Sequence, residues 1–354
     1  MTYKDTLFFV GKCLTINHED HNKIIVENLL QQQTIDWDNV VKVSTSHYVF
    51  PALYCNLKRA NFLHYLPEDL VGYMKHITDL NRERNEQIIE QAKEINNILL
   101  KNNITPIFLK GTGNLLEGLY NDIAERMVGD IDFLVSKMDY DTAVDLILKN
   151  KYSPVMKGDN FFPSEKHYPR LQKENKIAAI EIHKEMTIGN YAKSFNYELI
   201  KENVIYKDSI CFLGYDDQVK LSIIAKQIND DGNSFNDISL RNANDVFLLS
   251  QVTNTSNSIN VDNEPLKIPL NNFLATTKIV LNSKSIQFFD TNTSRKYSQK
   301  FLDLTENQYL RKKHNKKTKR KIFFMNRLNI ILKSFYKKDF TIWLFNRIKK
   351  GRQN

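Results

Sequence analysis

The chain has 354 residues, 42% of them hydrophobic and 26% charged, so it is long and apolar enough to fill two or three packed domains and is not a disordered protein. Lys and Arg total 50 against 41 Asp and Glu, but residues 311–354 hold 16 of the basic and one of the acidic residues, a net charge of +15. The rest holds 34 basic and 40 acidic residues, a net charge of −6. This asymmetry excludes a protein coated all over with basic charge for nucleic acid.

The cysteine and hydropathy patterns favour a cytoplasmic protein. Cys13, Cys55 and Cys211 lie far apart and lack the short paired spacings of zinc sites and disulfide frameworks. The apolar run at residues 7–10 ends at Gly11, well short of a signal-peptide core, and no stretch approaches the ~18 apolar residues of a membrane span. We therefore expect reduced thiols and no membrane-spanning segment.

Residues 1–103 have the periodicity of a helical N-terminal region. The segment from Pro67 to Leu100 carries one apolar stripe at helical spacing. Proline followed by two carboxylates suits a helix start, because proline needs no backbone partner in the first turn and the carboxylates complement the helix dipole. We expect this helix to stop at Asn102–Asn103.

Residues 104–215 change to short strand-like runs between helix-like pieces, which predicts a mixed α/β core. The last two runs flank residues 173–176, a polar turn of hairpin length, so they are predicted to be antiparallel neighbours in a mixed sheet. The strand-like runs lie at residues 106–109, 130–135, 167–171 and 177–183, and the helix-like pieces at residues 114–120 and 139–150.

Helical periodicity returns in residues 216–310, with a polar loop at residues 253–263 and a helix around residues 270–281. The predicted fold class is therefore α+β, a mixed sheet core flanked by helical N-terminal and C-terminal regions.

The basic segment, residues 311–354, is predicted to form a basic amphipathic helix that extends to about residue 350. Its apolar residues recur at spacings of four, three and four, with lysines and arginines around them. Two interpretations stay open: a helix packed on the helical region with a solvated basic face, or a surface that binds anionic lipid or RNA phosphates. The apolar residues are Phe324, Leu328, Ile331 and Phe335.

Asp130 and Asp132 form the motif that indicates a cation-binding site. Alternate residues of a strand point to the same face, so both carboxylates would lie on one side of the sheet. Two such charges at ~4 Å repel by about 4 kcal/mol at an effective dielectric near 20, and a cation relieves this repulsion. Carboxylate oxygens select Mg²⁺ or Mn²⁺, which proteins usually hold together with substrate phosphates.

A glycine turn precedes the aspartates. A predicted strand ends at Leu109 and runs into Lys110-Gly111-Thr112-Gly113 and a helix. Backbone amides at such a turn and helix N-terminus can hold a phosphate. Lys110 and Arg126 would neutralise its remaining charge, although Arg126 can equally pair with Asp122 or Glu125.

These motifs, with the later Glu181-Ile182-His183, resemble those of the polymerase-β-like, or minimal, nucleotidyltransferase superfamily, and within it of uncharacterised bacterial nucleotidyltransferases. The likeness spans residues 36–245 and includes Leu240, Arg241 and Asp245. It implies a nucleotidyltransferase-type core in which residues 110–113 hold the nucleoside triphosphate. It also implies that Asp130 and Asp132 hold divalent ions and that Glu181 is the third carboxylate. The turn departs from the superfamily's usual Gly-Gly or Gly-Ser, because Thr112 follows Gly111.

Two of these residues have alternative roles. Glu181 can be the solvent-side residue of an alternating strand, and His183 either a structural hydrogen-bond donor or a nucleotide contact.

The predicted activity is metal-dependent transfer of a nucleoside monophosphate, from a nucleoside triphosphate such as ATP, to a hydroxyl of a small molecule, glycan or protein. The alternatives are a toxin-like enzyme that modifies tRNA or other RNA, a nucleotide-binding protein without turnover, and a scaffold held at membrane or RNA by the basic segment. The predicted location is the cytoplasm, either free or docked at the inner membrane face, and the basic segment does not choose between the acceptor classes.

Overall fold

The computed structural model describes residues 1–155, 164–259 and 264–351. Most of the second half of the predicted polar loop at residues 253–263, and the last three residues of the basic segment, lie outside these ranges. The described residues form helices on both sides of a seven-stranded mixed sheet, which confirms the predicted α+β class. No helix among them is both long and apolar enough to cross a bilayer.

Five helices precede the sheet, as the periodicity predicts. The longest, α5, begins after Pro67 with Glu68 and Asp69 in its first turn, and the chain leaves it through Asn103, whose φ is 58°. Asparagine tolerates this left-handed conformation better than most residues, which explains the predicted stop. The helices are α1 (Tyr3–Cys13), α2 (Asp20–Gln31), α3 (Trp37–Ser46), α4 (Phe50–Arg59) and α5 (Glu68–Leu100).

The sheet has the strand order β3-β4-β5-β2-β1-β7-β6. Its two longest strands, β2 and β5, are parallel neighbours, whereas β4 pairs antiparallel with β5 through Leu171 and Ile180. This confirms the predicted hairpin and the mixed sheet. The strands are β1 (Ile107–Phe108), β2 (Asp130–Leu134), β3 (Ser153–Pro154), β4 (Leu171–Gln172), β5 (Ala179–His183), β6 (Ile205–Lys207) and β7 (Ile210–Phe212).

Two details of the core differ from the sequence prediction. Helix α6 (Lys110–Glu117) begins at Lys110 rather than at Asn114, because Leu109 is its extended N-cap and accepts a hydrogen bond from the Gly113 amide. The β6–β7 hairpin is absent from the prediction. Its turn residues Asp208 and Ser209 both have positive φ, as a two-residue hairpin turn requires, but the dipeptide lacks the glycine that marks most such turns.

Helices also dominate the rest of the chain. The basic segment forms two helices, α14 and α15, rather than the single predicted helix, because the chain turns at residues 335–337. A π-helical turn, Ala225–Asn229, extends α9. The remaining helices are α7 (Tyr140–Lys149), α8 (Tyr197–Ile200), α9 (Tyr215–Ile224), α10 (Gly232–Phe235), α11 (Leu240–Leu249), α12 (Glu264–Leu281), α13 (Asn292–Glu306), α14 (Gln308–Ser334) and α15 (Lys338–Gly351).

The apolar side chains form two cores. One lies around the sheet and joins Ile95 of α5 to Phe133 of β2 and Ile147 of α7. The other joins the N-terminal and C-terminal helices, from Phe9 of α1 to Phe273 of α12. The two helical regions therefore pack as one body. Its core includes Ile107, Leu134 and Cys211, which lie in register on one face of β1, β2 and β7.

Candidate active site

Three carboxylates lie side by side where β2 and β5 pair. Asp132 is directly opposite Glu181 in the parallel register, and Asp130 lies two residues earlier in the same strand, on the same face. All three line a cleft of about 320 Å³. The structure thus brings together the three predicted carboxylates, although Asp130 and Glu181 are 51 residues apart in the sequence.

Cationic side chains relieve the repulsion among these carboxylates. Lys110 Nζ lies 2.6 Å from Asp132 Oδ1. Arg170 Nη2 bridges the other two, at 2.7 Å from Asp130 Oδ2 and 3.0 Å from Glu181 Oε1. Charge-assisted contacts of this length are strong hydrogen bonds. The three carboxylates exceed these two cations by one negative charge, so the cluster still favours a further cation.

His183 lies behind the carboxylates rather than on the surface of the cleft. It is 1% exposed, and its Nε2 lies 2.7 Å from Asp132 Oδ1 while Nδ1 lies 3.3 Å from the Glu185 carbonyl oxygen. Its position therefore suits orientation of Asp132 better than the predicted contact with nucleotide. Asp132, Glu181 and His183 each also offer one ligand atom, all within 4.8 Å of one another, so His183 can complete a metal site.

The three carboxyl groups differ in pKa because their neighbours differ. Burial opposes ionisation of Asp132, but Lys110 and His183 outweigh it and hold its pKa well below the usual range. Burial also opposes ionisation of Glu181, but the His183 hydrogen bond helps to lower its pKa to about 2. For Asp130, burial and the charges of Asp132 and Glu181 raise the pKa to about 6. Asp130 is thus the carboxyl that gains most from a divalent cation.

Asp130→Asn is expected to stabilise the metal-free protein at neutral pH. The folded pKa of Asp130 is about 6 and the unfolded value about 3.9, so the folded state binds the extra proton and stability falls as pH rises from about 4 to about 6. Asparagine has no carboxyl group to ionise, so it does not carry this cost in the folded state. In a metal chelator, urea unfolding should therefore show a gain on the order of 2 kcal/mol at pH 7 that vanishes at pH 4. A gain that instead grew as pH fell would contradict the assigned pKa of Asp130.

The residues of the predicted glycine turn divide into two pairs. Lys110 and Gly111 line the cleft, and a Cβ on Gly111 would come within 2.9 Å of Val128. Thr112 and Gly113 lie behind it. The Thr112 hydroxyl donates to the Asp130 carbonyl oxygen at 2.8 Å, and a Cβ on Gly113 would lie 2.7 Å from the Phe108 carbonyl oxygen. Thr112 and Gly113 therefore position β2 and α6, whereas Lys110 and Gly111 are open to the cleft.

Arg126 differs from both sequence-based interpretations. It borders the cleft, but its guanidinium is buried and binds Asp245, with Nε 3.0 and 3.1 Å from the two carboxylate oxygens. Asp122 and Glu125, the alternative partners, instead bind arginines of α5 and α4. Because Asp245 already neutralises its charge, Arg126 is a poorer phosphate ligand than predicted and connects the sheet core to α11.

Asp245 is the centre of a buried polar network. Besides Arg126, it accepts a hydrogen bond from the Tyr120 hydroxyl at 2.7 Å, and that hydroxyl accepts one from the Asn114 amide at 3.1 Å. Asn114 belongs to α6 and Asp245 to α11. The network therefore fixes α6, the helix that starts at Lys110, to the helical body.

Three further basic residues line the cleft from other parts of the fold. Lys166 and Arg170 precede β4, and Arg241 lies in the first turn of α11. Burial lowers the pKa of both Lys166 and Arg241. Arg241 stacks 5.0 Å from the Tyr48 ring, and its buried Nε has no hydrogen-bond partner among the described residues. Their proximity depends on tertiary folding. The sequence signals were the Leu240-Arg241 pair of the family resemblance and, for Arg170, its place in the predicted strand-like run at residues 167–171; Lys166 had none.

The sequence profile of a family described as an uncharacterised nucleotidyltransferase matches residues 33–274. This range contains all the carboxylates and cleft-lining basic residues described above. No curated protein matches the chain, and no solved structure matches it.

Proposed function

The chain belongs to the uncharacterised nucleotidyltransferase family, and on that premise we propose that it transfers a nucleoside monophosphate from a nucleoside triphosphate to an acceptor hydroxyl, with release of pyrophosphate. One observation carries the proposal: Asp130, Asp132 and Glu181 converge on one face of a cleft that several basic side chains also line. We also propose that the chain lies in the polymerase-β-like superfamily and acts in the cytoplasm, where its three free cysteines would stay reduced.

The side chains present fit a divalent metal. Asp132, Glu181 and His183 supply one ligand atom each within 4.8 Å, and Asp130 faces the same cleft. Because most of these donors are hard carboxylate oxygens, the site suits Mg²⁺ or Mn²⁺. A bound ion would polarise the phosphoryl oxygens and activate the acceptor hydroxyl. The chain's own part is to hold Asp130 and Glu181 beside Asp132 on one face of the sheet, with His183 either a ligand of the ion or the hydrogen-bond partner that orients Asp132.

The basic side chains of the cleft fit the triphosphate. Lys110, Lys166 and Arg241 line the cleft, and they come from three separate segments that the fold brings together. Since Asp245 already neutralises Arg126, the Arg241 guanidinium with its unsatisfied Nε is the better phosphate ligand.

Arg241→Gln is expected to raise the KM for the nucleoside triphosphate about tenfold, with a smaller change in kcat, because it removes a charged contact present before and during the reaction. Steady-state kinetics with labelled nucleotide measure both constants. Arg295→Gln removes an equally charged but exposed arginine far from the cleft and should leave KM unchanged. If Arg241→Gln and Arg295→Gln have the same KM for the nucleoside triphosphate, Arg241 does not belong to the nucleotide site.

A second cavity lies beside the carboxylates and fits the acceptor. Its volume is about 500 Å³, and aromatic side chains of the core and of α15 line it, including Tyr140, Tyr168 and Trp343. His167 belongs to its lining and lies 3.9 Å from Glu181. An acceptor bound there would be a small molecule, a glycan or a protein side chain that presents a hydroxyl towards Glu181.

RNA is the alternative acceptor, and the net charge of +15 in residues 311–354 is compatible with it. Residues 311–350 can neutralise phosphates of an RNA chain, as in a toxin-like enzyme that modifies tRNA, or else contact an anionic membrane.

The proposed activity is tested by incubating purified protein with each labelled nucleoside triphosphate, Mg²⁺ or Mn²⁺, and a lysate of the host. We expect label to move into one class of acceptor, small molecule, glycan, protein or RNA, and the transfer to stop when a chelator is added. Label that remains in nucleotide under every condition, while the protein still binds nucleotide, would favour a binding protein without turnover.

A further inference from the structure

Helix α14 presents one continuous stripe to solvent, and its two halves differ in character. Positions 313, 317, 320, 324, 328, 331 and 335 follow spacings of four and three, so they lie on one face. The first three are exposed lysines and an arginine. The next four are large apolar residues with exposed fractions of 68, 50, 46 and 81%: Phe324, Leu328, Ile331 and Phe335.

The opposite face of the hairpin formed by α14 and α15 is held by the body. Arg311 stacks 3.9 Å from the Tyr3 ring, and Lys333 and Lys337 both bind Glu165. Phe340 of α15 is buried. These contacts fix which face of α14 points outwards. They also show that the basic segment packs on the body as a part of it, so the stripe is a fixed surface.

We propose that this stripe docks on an anionic lipid membrane, with the apolar half inserted at the acyl boundary and the basic half on the headgroups. Apolar side chains this large and this exposed, in one row about 16 Å long from Phe324 to Phe335, mark an interaction surface. A basic amphipathic helix with aromatic and aliphatic residues on its apolar part is the form that lies in a membrane interface.

Other occupants fit the stripe less well. RNA phosphates would neutralise Lys313, Lys317 and Arg320 but leave Leu328 and Ile331 in water, since single-stranded RNA stacks on aromatic rather than aliphatic side chains. A second copy of the chain would bring two segments of net charge +15 together, which is repulsive. An anionic membrane satisfies both halves of the stripe at once.

Vesicle co-sedimentation of the full-length chain tests the proposal. We expect binding to phosphatidylcholine vesicles that contain roughly one third phosphatidylglycerol, little binding to pure phosphatidylcholine, and a steep loss with added salt. The triple variant Phe324→Ser, Leu328→Ser, Phe335→Ser should lose at least about tenfold in partitioning. The double variant Ile24→Ser, Met138→Ser removes exposed apolar residues elsewhere and should bind like the wild type.

Three results would overturn the proposal. The first is wild-type protein that ignores anionic vesicles at low salt. The second is a triple variant that binds them as the wild type does while circular dichroism shows the same helix content. The third is retention on a single-stranded RNA homopolymer, or a dimer in sedimentation velocity, that the triple variant abolishes while vesicle binding is absent. Vesicle binding needs no nucleotide, so it can fail while nucleotidyl transfer succeeds, and the reverse.

Discussion

Asp132→Asn is expected to lower kcat/KM for nucleotidyl transfer by about three orders of magnitude or more. Asp132 is the buried carboxylate that faces Glu181 across the strand pair, and its Oδ1 is hydrogen-bonded to both Lys110 and His183. Asn keeps the shape but removes the charge that a divalent ion needs. Metal stabilisation of a phosphoryl transition state is worth several kcal/mol, and each ~1.4 kcal/mol is a factor of ten in rate.

Transfer of labelled nucleotide, measured over a range of Mg²⁺ and Mn²⁺ concentrations, checks this expectation. Asp145→Asn is the matched control, because it removes an exposed carboxylate of α7 on the same core, and we expect no change in rate. Circular dichroism separates loss of activity from loss of fold. If the Asp132 variant works at near wild-type rate, the carboxylate cluster is not the metal site and the proposed mechanism is wrong.

Asp245→Asn is expected to destabilise the protein by about 3–5 kcal/mol, because it leaves the Arg126 guanidinium buried without a counter-charge. The Arg126 backbone is fixed as well, since Asn81 and Asn85 donate hydrogen bonds to its carbonyl oxygen at 3.2 and 2.7 Å. The side chain is only 7% exposed, so little water can replace the lost carboxylate. Urea unfolding measures the loss as a lower transition midpoint.

An exposed ion pair supplies the control for Asp245. Asp290→Asn breaks the Asp290–Arg295 contact, in which both side chains are more than half exposed, and such pairs contribute about 0–1 kcal/mol. The double variant Arg126→Met, Asp245→Leu should recover much of the lost stability, since replacing both partners removes the unpaired charge. Equal midpoints for Asp245→Asn and Asp290→Asn would show that the buried pair does not hold the core to α11.

The parts of the fold and site that were predictable are those set by short-range pattern. Strand alternation places Asp130 and Asp132 on one face, and the apolar stripe of α5 is visible in 33 consecutive residues. The polar turn at residues 173–176 likewise predicts the β4–β5 hairpin, because turn and strands are contiguous. The role of Glu181 needed the family resemblance, since its register with Asp132 depends on a parallel pairing that sequence alone does not specify.

The residues whose contacts the sequence did not predict are those with partners distant in sequence. Arg126 has two carboxylates within four residues, yet it binds Asp245, 119 residues away. Both groups are buried, and either one would be costly to bury without the other. Lys166 and Arg241 reach the cleft only once the sheet and α11 have packed. The break between α14 and α15 likewise coincides with a tertiary contact, because Lys333 and Lys337, which flank the turn, both bind Glu165.

The shared core of the two helical regions governs how the chain assembles during synthesis. Gly11 of α1 packs so closely on α12 that a Cβ there would lie 2.6 Å from the Val280 carbonyl oxygen, and Asn22 donates to the Leu281 carbonyl oxygen, 259 residues away. At typical translation rates of about 5–20 residues per second, α1 and α2 wait roughly 10–50 s for these partners. Helices α2, α3 and α4 can already pack on α1 during this interval, but the surface that α12 covers in the folded protein stays exposed until α12 has been made.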